Sequence, residues 1–222
     1  PPPPPPPPLF FSTHKPEYAM LRSLVGSEMC IRDRIFSQIE IVGQKISNSS
    51  FEHCNFSGCD FSESEFIACR FIECEFKDSN FNVTKLTGSR LLESRFENCK
   101  LTGINWTSLS WTGITVSSPM TFESCDLSFS VFHSLSLPGL IITNGKAWNA
   151  DFEDCDLTHA KFTNTDLKDA RFNRTKLNMC DFSEATNYYI DPNNNSIVGA
   201  SFSFPEVINL LAAFDINVKG PL

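Results

Sequence analysis

The chain has 222 residues and a formal net charge of −8 at pH 7, and 20% of its residues are charged. This length is typical of one domain. The acidic balance disfavours direct binding to nucleic acid, and no apolar run approaches the roughly 20 residues that cross a membrane.

The first 34 residues differ from the rest of the chain because they show no periodicity. Eight prolines open the sequence, and residues 24–34 (LVGSEMCIRDR) resemble a translated sequencing adapter. We therefore interpret residues 1–34 as a non-native segment and exclude them from the fold. Two alternatives are a signal peptide, which the short apolar run at residues 9–11 disfavours, and a proline-rich ligand for a partner protein.

A repeat of five residues follows this segment. From Phe51 to Trp106 every fifth residue is large and apolar, and the residue two positions earlier is small in all but one case. A second run follows the same rule from Phe152 to Phe182, one residue out of phase with the first. A period of five fits neither an α-helix nor a β-strand, so it indicates a repeat architecture. The phenylalanines predicted to fill the core are Phe51, Phe56, Phe61, Phe66, Phe71, Phe76, Phe81, Phe96, Phe152, Phe162, Phe172 and Phe182.

Four such repeats make a coil of twenty residues, and coils stacked about 4.8 Å apart pair their backbones in parallel. Side chains twenty positions apart then lie above one another, so Phe71 is predicted to stack on Phe51. The small residue packs beside the large one inside a narrow coil. A bulky side chain should not fit there.

The units Cys54-Asn55-Phe56, Cys59-Asp60-Phe61 and Ala160-Lys161-Phe162 resemble the small-x-Leu/Phe units of the pentapeptide-repeat family. The resemblance covers about residues 46–186. It implies an all-β fold, a right-handed quadrilateral parallel β-helix, which we expect over residues 35–203.

Two interruptions of this β-helix are predicted. The change of phase falls near residues 112–121, where Gly113 and Pro119 indicate a projecting loop. Turn residues and leucines in the small position predict an irregular coil near residues 136–147, for which simple decay of the repeat is the alternative explanation.

Residues 204–222 are predicted to form a C-terminal α-helical cap and tail. Ser203 and Glu206 have the spacing of a capping box at its start. The apolar face of this helix is predicted to contain Val207, Leu210, Leu211 and Phe214. This face either covers the last coil or meets its copy in a second chain. In Qnr-type members of the family a C-terminal helical segment makes such a dimer, so the resemblance implies a homodimer.

The cysteines indicate a reducing compartment, because eight of the nine occupy the small inward position and act as packing residues. We therefore expect a cytoplasmic protein. The spacing of His and Cys matches no zinc site, and the sequence lacks a phosphate-binding loop and a nucleophile motif. We predict no catalytic residue, metal or cofactor.

Carboxylates recur immediately before the large residue, in an outward position. Those predicted to face a partner are Asp60, Glu65, Glu75, Asp126, Asp151, Asp156, Asp166 and Asp181. Carboxylates along a rod could imitate the phosphates of DNA and attract a basic DNA-binding groove. The resemblance to Qnr-type members implies DNA gyrase or topoisomerase IV as the partner, and protection from quinolones as the result. The alternative is an interaction scaffold without a topoisomerase role, because Lys and Arg interrupt the acidic positions.

Overall fold

The computed structural model describes residues 29–111, 120–214 and 216, and this part of the chain forms a parallel β-solenoid. Its strands are β1 (Met29–Arg32), β2 (Ile35–Ser37), β3 (Lys45–Ser47), β4 (Ser49–Glu52), β5 (Asn55–Ser57), β6 (Glu65–Ile67), β7 (Arg70–Ile72), β8 (Glu75–Lys77), β9 (Arg90–Leu92), β10 (Ser94–Glu97), β11 (Met120–Glu123), β12 (Ile141–Thr143), β13 (Asp181–Phe182) and β14 (Ser201–Phe202). Two helices of the 3-10 type span Trp106–Ser108 and Glu206–Phe214. Neither helix has the length and apolarity needed to span a bilayer.

Each coil has four sides, which we name faces A to D after the large residues that they contribute. Face A begins with Ile31, Phe51, Phe71 and Leu91, face B with Phe36, Phe56, Phe76 and Phe96, face C with Ile41, Phe61, Phe81 and Leu101, and face D with Ile46, Phe66, Leu86 and Trp106. On face A the strand order is β1-β4-β7-β9, and on face B it is β12-β11-β10-β8-β5-β2. Phe51 pairs with Phe71, which confirms the predicted register of twenty residues.

Stacked rings fill the axis of the solenoid. On face B the ring of Phe56 lies 4.8 Å from that of Phe36 and 4.9 Å from that of Phe76, and the planes are nearly parallel. Neighbouring faces meet edge to face, as Phe51 and Phe56 do at 5.6 Å. These are the two geometries that aromatic pairs prefer. The predicted core phenylalanines are all buried.

The small residues contribute hydrogen bonds as well as compact volume. The Thr175 hydroxyl donates to the carbonyl of Phe152 in the coil below, at 2.8 Å. The Ser89 hydroxyl donates to Phe66 O at 3.0 Å and accepts from Cys69 N–H at 3.0 Å. Buried polar groups are costly when unpaired, so these bonds explain why Ser, Thr and Cys occur here beside Ala. Sequence reasoning assigned these positions to packing alone.

Nearly every corner in the described part of the chain is turned by a residue in the left-handed conformation, two positions after the large residue, and Ser108 in the first 3-10 helix is an exception. Asp78 and Asn98, for example, have φ values of 51°. Glycine, Asn and Asp tolerate this conformation most easily. Val83 and Phe129 adopt it too, at 58° and 60°, although a β-branched or bulky side chain is unusual there.

The phase change is real, and the register shows its size. Phe96 pairs with Phe122, 26 positions later, whereas Phe76 pairs with Phe96 at twenty. The predicted loop near residues 112–121 lies largely outside the described residues. Trp111 before it and Met120 after it lie against the core.

The coil near residues 136–147 keeps the common register, where the sequence predicts an irregular coil. Thr121 pairs with Ile141 and Lys146 with Asp166, and Leu140 is fully buried in the small position. One local adjustment occurs at Gly145, where an added Cβ would collide with the carbonyl oxygen of Cys125. A glycine in the small position therefore lets the two backbones approach closely.

The described solenoid begins before residue 35. Strand β1 lies within the segment interpreted as non-native and pairs with β4, placing Ile31 beside Phe51. The physical reason is that Ile31 stands five residues before Phe36, so it continues the repeat in phase, and its side chain is buried. The origin of residues 1–34 stays a prediction.

The C-terminal helix has a tighter winding than the sequence predicts. With three residues per turn, Leu210 packs against the core and Val207 is half-buried, whereas Leu211 and Phe214 are more exposed, at 36% and 47%. The Ser203 hydroxyl accepts from the N–H of Glu184 at 3.0 Å, so it tethers the chain to the coil below rather than forming the expected capping box.

We expect Ala160→Phe to prevent soluble folding, because Ala160 is fully buried in the small position. Overpacking of a filled core costs about 1–3 kcal/mol or more. Soluble yield and thermal melting by circular dichroism measure the effect. Lys161→Gln is the matched control. Lys161 is the exposed neighbour of Ala160, so this substitution should change stability by no more than about 0.5 kcal/mol. A cooperative Ala160→Phe melt at the native temperature would contradict the packing described above.

Candidate functional site

The eight acids predicted to face a partner lie on all four faces of the solenoid. Face C carries Asp60, Asp126 and Asp166 in one column. Face B carries Glu75 and Asp181, face D carries Glu65 and Asp151, and face A carries Asp156. The structure therefore brings three of them into line and separates the others.

Most of these acids have a local structural role. The Asp126 carboxylate accepts from the Ser128 hydroxyl at 2.6 Å and from the Ser128 N–H at 3.1 Å. The same contacts join Asp156 to Thr158. Such Asx turns fix the backbone just before the left-handed corner. The pattern Asp-x-Ser/Thr is visible in the sequence and is the signal that indicates these turns.

The local bonds stabilise the charged form of the carboxylates. Burial of Asp126 raises the pKa of its carboxyl, but bonds from Ser128 and the charge of Lys146 outweigh burial and leave that pKa below its ordinary value. The hydroxyl and N–H of Ser183 lower the pKa of Asp181. These acids are therefore charged at neutral pH.

Ion pairs between successive coils offset much of the acidic charge. The Arg171 guanidinium lies 2.7 Å from Asp151, and the ammonium of Lys176 lies 3.0 Å from Asp156. Further pairs along the rod are Arg32–Glu52, Lys45–Glu65, Lys77–Glu97, Lys146–Asp126 and Arg174–Asp154. Each joins residues twenty positions apart, so opposite charges alternate along a column.

Acids nevertheless exceed bases on faces B and C, if each corner is counted with the face before it. The acids are Glu75, Asp78, Glu97, Glu123, Asp181 and Glu184 on face B, and Glu40, Asp60, Glu63, Asp126, Asp166 and Asp169 on face C. The bases are Arg34, Lys77, Arg95 and Lys161 on face B, and Lys100, Lys146 and Lys168 on face C. These two adjoining faces form the most acidic side of the rod.

The surface also has a groove, on this acidic side, and a cluster of possible metal ligands, on face D. A groove of about 620 Å³ follows the corner between faces B and C, where it is lined by Asp78, Asn98 and Lys146 among others. On face D, ligand atoms of His133, Asp151 and Glu153 lie within 4.8 Å of one another. Arg171 lies 2.7 Å from Asp151 and 3.7 Å from Glu153, so a cation there would compete with its guanidinium.

The structural role of Asp126 predicts two separable effects. Asp126→Ala removes the turn acceptor and the ion pair, and we expect it to cost about 1–2 kcal/mol, whereas Asp126→Asn keeps the acceptor and should cost less than half as much. The pKa of this carboxyl is below that of an unfolded chain, so its contribution is present above about pH 4 and is lost as the pH falls through the folded value.

Urea unfolding at pH 7 and pH 3 measures both effects. The native protein should lose more stability between these two pH values than the Asp126→Ala variant does. An Asp126→Ala variant as stable as the native chain at pH 7 would show that this carboxylate has no structural role.

Comparison with known proteins agrees with this architecture. The sequence matches the profile of the pentapeptide repeat region over residues 49–119, and that of pentapeptide repeats over residues 148–186. No curated protein sequence matches the chain.

Several solved structures are similar. A trypsin-treated variant of QnrB1, a plasmid-mediated fluoroquinolone resistance protein, is 15% identical over 84% of this chain and 100% of that one, with a TM-score of 0.58. HetL, a pentapeptide repeat protein involved in heterocyst differentiation regulation from the cyanobacterium Nostoc, is 14% identical over 82% of this chain and 90% of that one, with a TM-score of 0.32. The matched repeats and the coil with four faces show together that this chain belongs to the pentapeptide-repeat family.

Proposed function

We propose that this chain is a non-enzymatic, cytoplasmic binding protein whose acidic faces B and C occupy the DNA-binding groove of DNA gyrase or topoisomerase IV, and so protect these enzymes from quinolones. The observation that carries the proposal is the excess of acid on two adjoining faces of the solenoid. The fold shared with a fluoroquinolone resistance protein is the reason to choose these enzymes first.

The dimensions suit a groove that holds duplex DNA. Face C has eight successive rungs from Glu40 to Thr186, which span about 34 Å at 4.8 Å per step. Duplex DNA of that length carries about 20 negative charges. The whole chain has a net charge of −8, so its charge per unit length is less than half that of the DNA duplex, and it attracts a basic groove more weakly than DNA does. Shape must therefore contribute a large part of the binding.

The alternative function is a scaffold for a partner that is not a topoisomerase. The alternation of acids and bases along the columns favours it, because Lys146 and Lys176 neutralise the carboxylates beside them. Both functions are non-enzymatic. The eight thiols of the small positions are buried, and the aligned acids of face C serve the turns, which supports a binding role over catalysis.

We further propose a homodimer through the C-terminal helix. Leu211 and Phe214 are exposed on the outer side of the helix, at the end of the rod. A twofold contact is self-complementary, so the same patch on each chain is sufficient to form the interface. The resulting dimer would be a rod of twice the length. The alternative is that the helix is only a lid, for which the half-buried Val207 and Leu210 suffice.

The topoisomerase proposal predicts that the protein restores supercoiling by gyrase in the presence of ciprofloxacin. Glu63→Lys with Asp169→Lys, both at exposed corners of face C, should weaken this protection several-fold. Asp33→Lys with Glu93→Lys changes the net charge equally on face A and is the matched control. If the native protein gives no protection, the scaffold function takes the place of this proposal.

The dimer proposal predicts a particle of twice the chain mass at micromolar concentration. Leu211→Asp with Phe214→Asp should yield monomers whose β-solenoid still melts cooperatively, because neither side chain belongs to the buried core. Light scattering measures the mass, and Ile35→Asp at the other end is the control for an added surface charge. A monomeric native protein would leave the helix as a lid.

A further inference from the structure

An exposed apolar surface lies at the corner between faces C and D, away from the features that explain the fold. It consists of Val83, Gly103, Phe129 and Trp148, which we name the corner patch. The exposed fractions are 56% for Val83, 58% for Phe129 and 37% for Trp148. Backbone bonds place them in successive coils, since Val83 N–H donates to Thr102, Gly103 N–H to Ser128 and Phe129 N–H to Trp148. The patch therefore spans about 14 Å along the rod.

Folding does not account for the residues of the corner patch. Val83 and Phe129 both turn left-handed corners, which costs roughly 1–2 kcal/mol for a residue with a side chain and is easiest for Gly or Asn. Their side chains stay in water, so burial does not compensate for this conformation. Large apolar side chains held exposed at positions that disfavour them indicate a binding surface.

The shape of the patch is a notch one side chain wide. Gly103 lies in the coil between Val83 and Phe129, so these two side chains are two coils apart, about 9.6 Å. A Cβ added at Gly103 would meet Val83 Cγ2 only at 3.9 Å. The glycine thus forms a floor open to a leucine or phenylalanine inserted from outside, and Trp148 lies in the coil beyond Phe129.

The charge beside the notch is positive, although the chain as a whole is acidic. Residues 80–87 and 100–107, which form faces C and D in these two coils, contain Lys85 and Lys100 and no acid. Within the described part of the chain, neither lysine has an ion pair closer than 4 Å. The acids nearest in their columns, Glu65 and Asp126, are paired with Lys45 and Lys146. Two acids lie further along the rod: Glu63 turns the corner one coil before Val83, and Asp60, two coils from Lys100, is influenced by the charge of that lysine.

We propose that the corner patch is the docking site of an acidic protein segment, in which one apolar side chain enters the notch and flanking carboxylates pair with Lys85 and Lys100. Two lysines are too few for a nucleic acid, which needs a row of cations along its phosphates. The proposal rests on the proposed binding role of the rod. It requires no topoisomerase, and the acidic faces could bind a separate partner.

The test is a titration of the full chain, followed by the amide signals of Gly103 and Phe129 and the indole signal of Trp148 in NMR spectra. The probe is the peptide acetyl-EEFEE-amide at physiological ionic strength, where the net negative charge of the chain is screened, with acetyl-EEGEE-amide and acetyl-KKFKK-amide as controls. We expect saturable shifts with the first peptide alone. The absence of saturation at millimolar peptide, equal binding of the basic peptide, or saturation by a short oligothymidylate would overturn the proposal.

Two variants separate binding from folding. Phe129→Asn should abolish the shifts and raise the melting temperature by a few degrees, because Asn is better suited to the corner. Met179→Asn is the matched control, at an equally exposed left-handed corner between faces A and B, and it should leave peptide binding unchanged. A Phe129→Asn variant that melts below the native protein would show a structural role and overturn the proposal. The peptide assay contains no gyrase, so its failure is distinguishable from failure of the topoisomerase function.

Discussion

The structure depends on left-handed corners, which recur at almost every fifth residue, because without these corners the chain could not close into coils. Each corner costs a residue with a side chain roughly 1–2 kcal/mol. Each repeat also buries one large side chain, which stabilises the fold by about 1.5–3 kcal/mol. The two quantities are similar, so the bonds from the Ser, Thr and Cys side chains to the coil below help to decide the balance. A repeat that lost either contribution would be a weak point of the rod.

This balance explains which parts of the fold could be predicted from the sequence. The burial of Phe56 and Cys54 follows from the period alone, since one large and one small residue point inward in every repeat. The roles of the outward residues depend on which coil lies above. Asp126 is an example, because its lysine partner is twenty positions later while the coil beneath it is 26 positions earlier. Only its turn with Ser128 is local, and the spacing Asp-x-Ser could have revealed it.

The C-terminal helix shows a different limit of sequence reasoning. A spacing of three and four residues predicts one apolar face only if the helix has 3.6 residues per turn. The segment Glu206–Phe214 winds with three, which divides the predicted face between the coil and the solvent. Tertiary contacts determine the winding of so short a segment, and Leu210 against the last coil is one of them. The difference matters for function, because it leaves Leu211 and Phe214 exposed for a partner.

The outward carboxylates and the corner residues therefore differ in how freely they can change for binding. The carboxylates before the large residues are engaged by turns and by ion pairs such as Arg171–Asp151, so replacing them alters stability as well as any recognition. A corner residue projects from the coil without entering it, although some corners bond to the next, as Arg174 and Asp154 do at 2.7 Å. Binding specificity can change there at little cost to the fold, and a residue that fits the corner poorly, as Phe129 does, carries more information about function than one that fits it well.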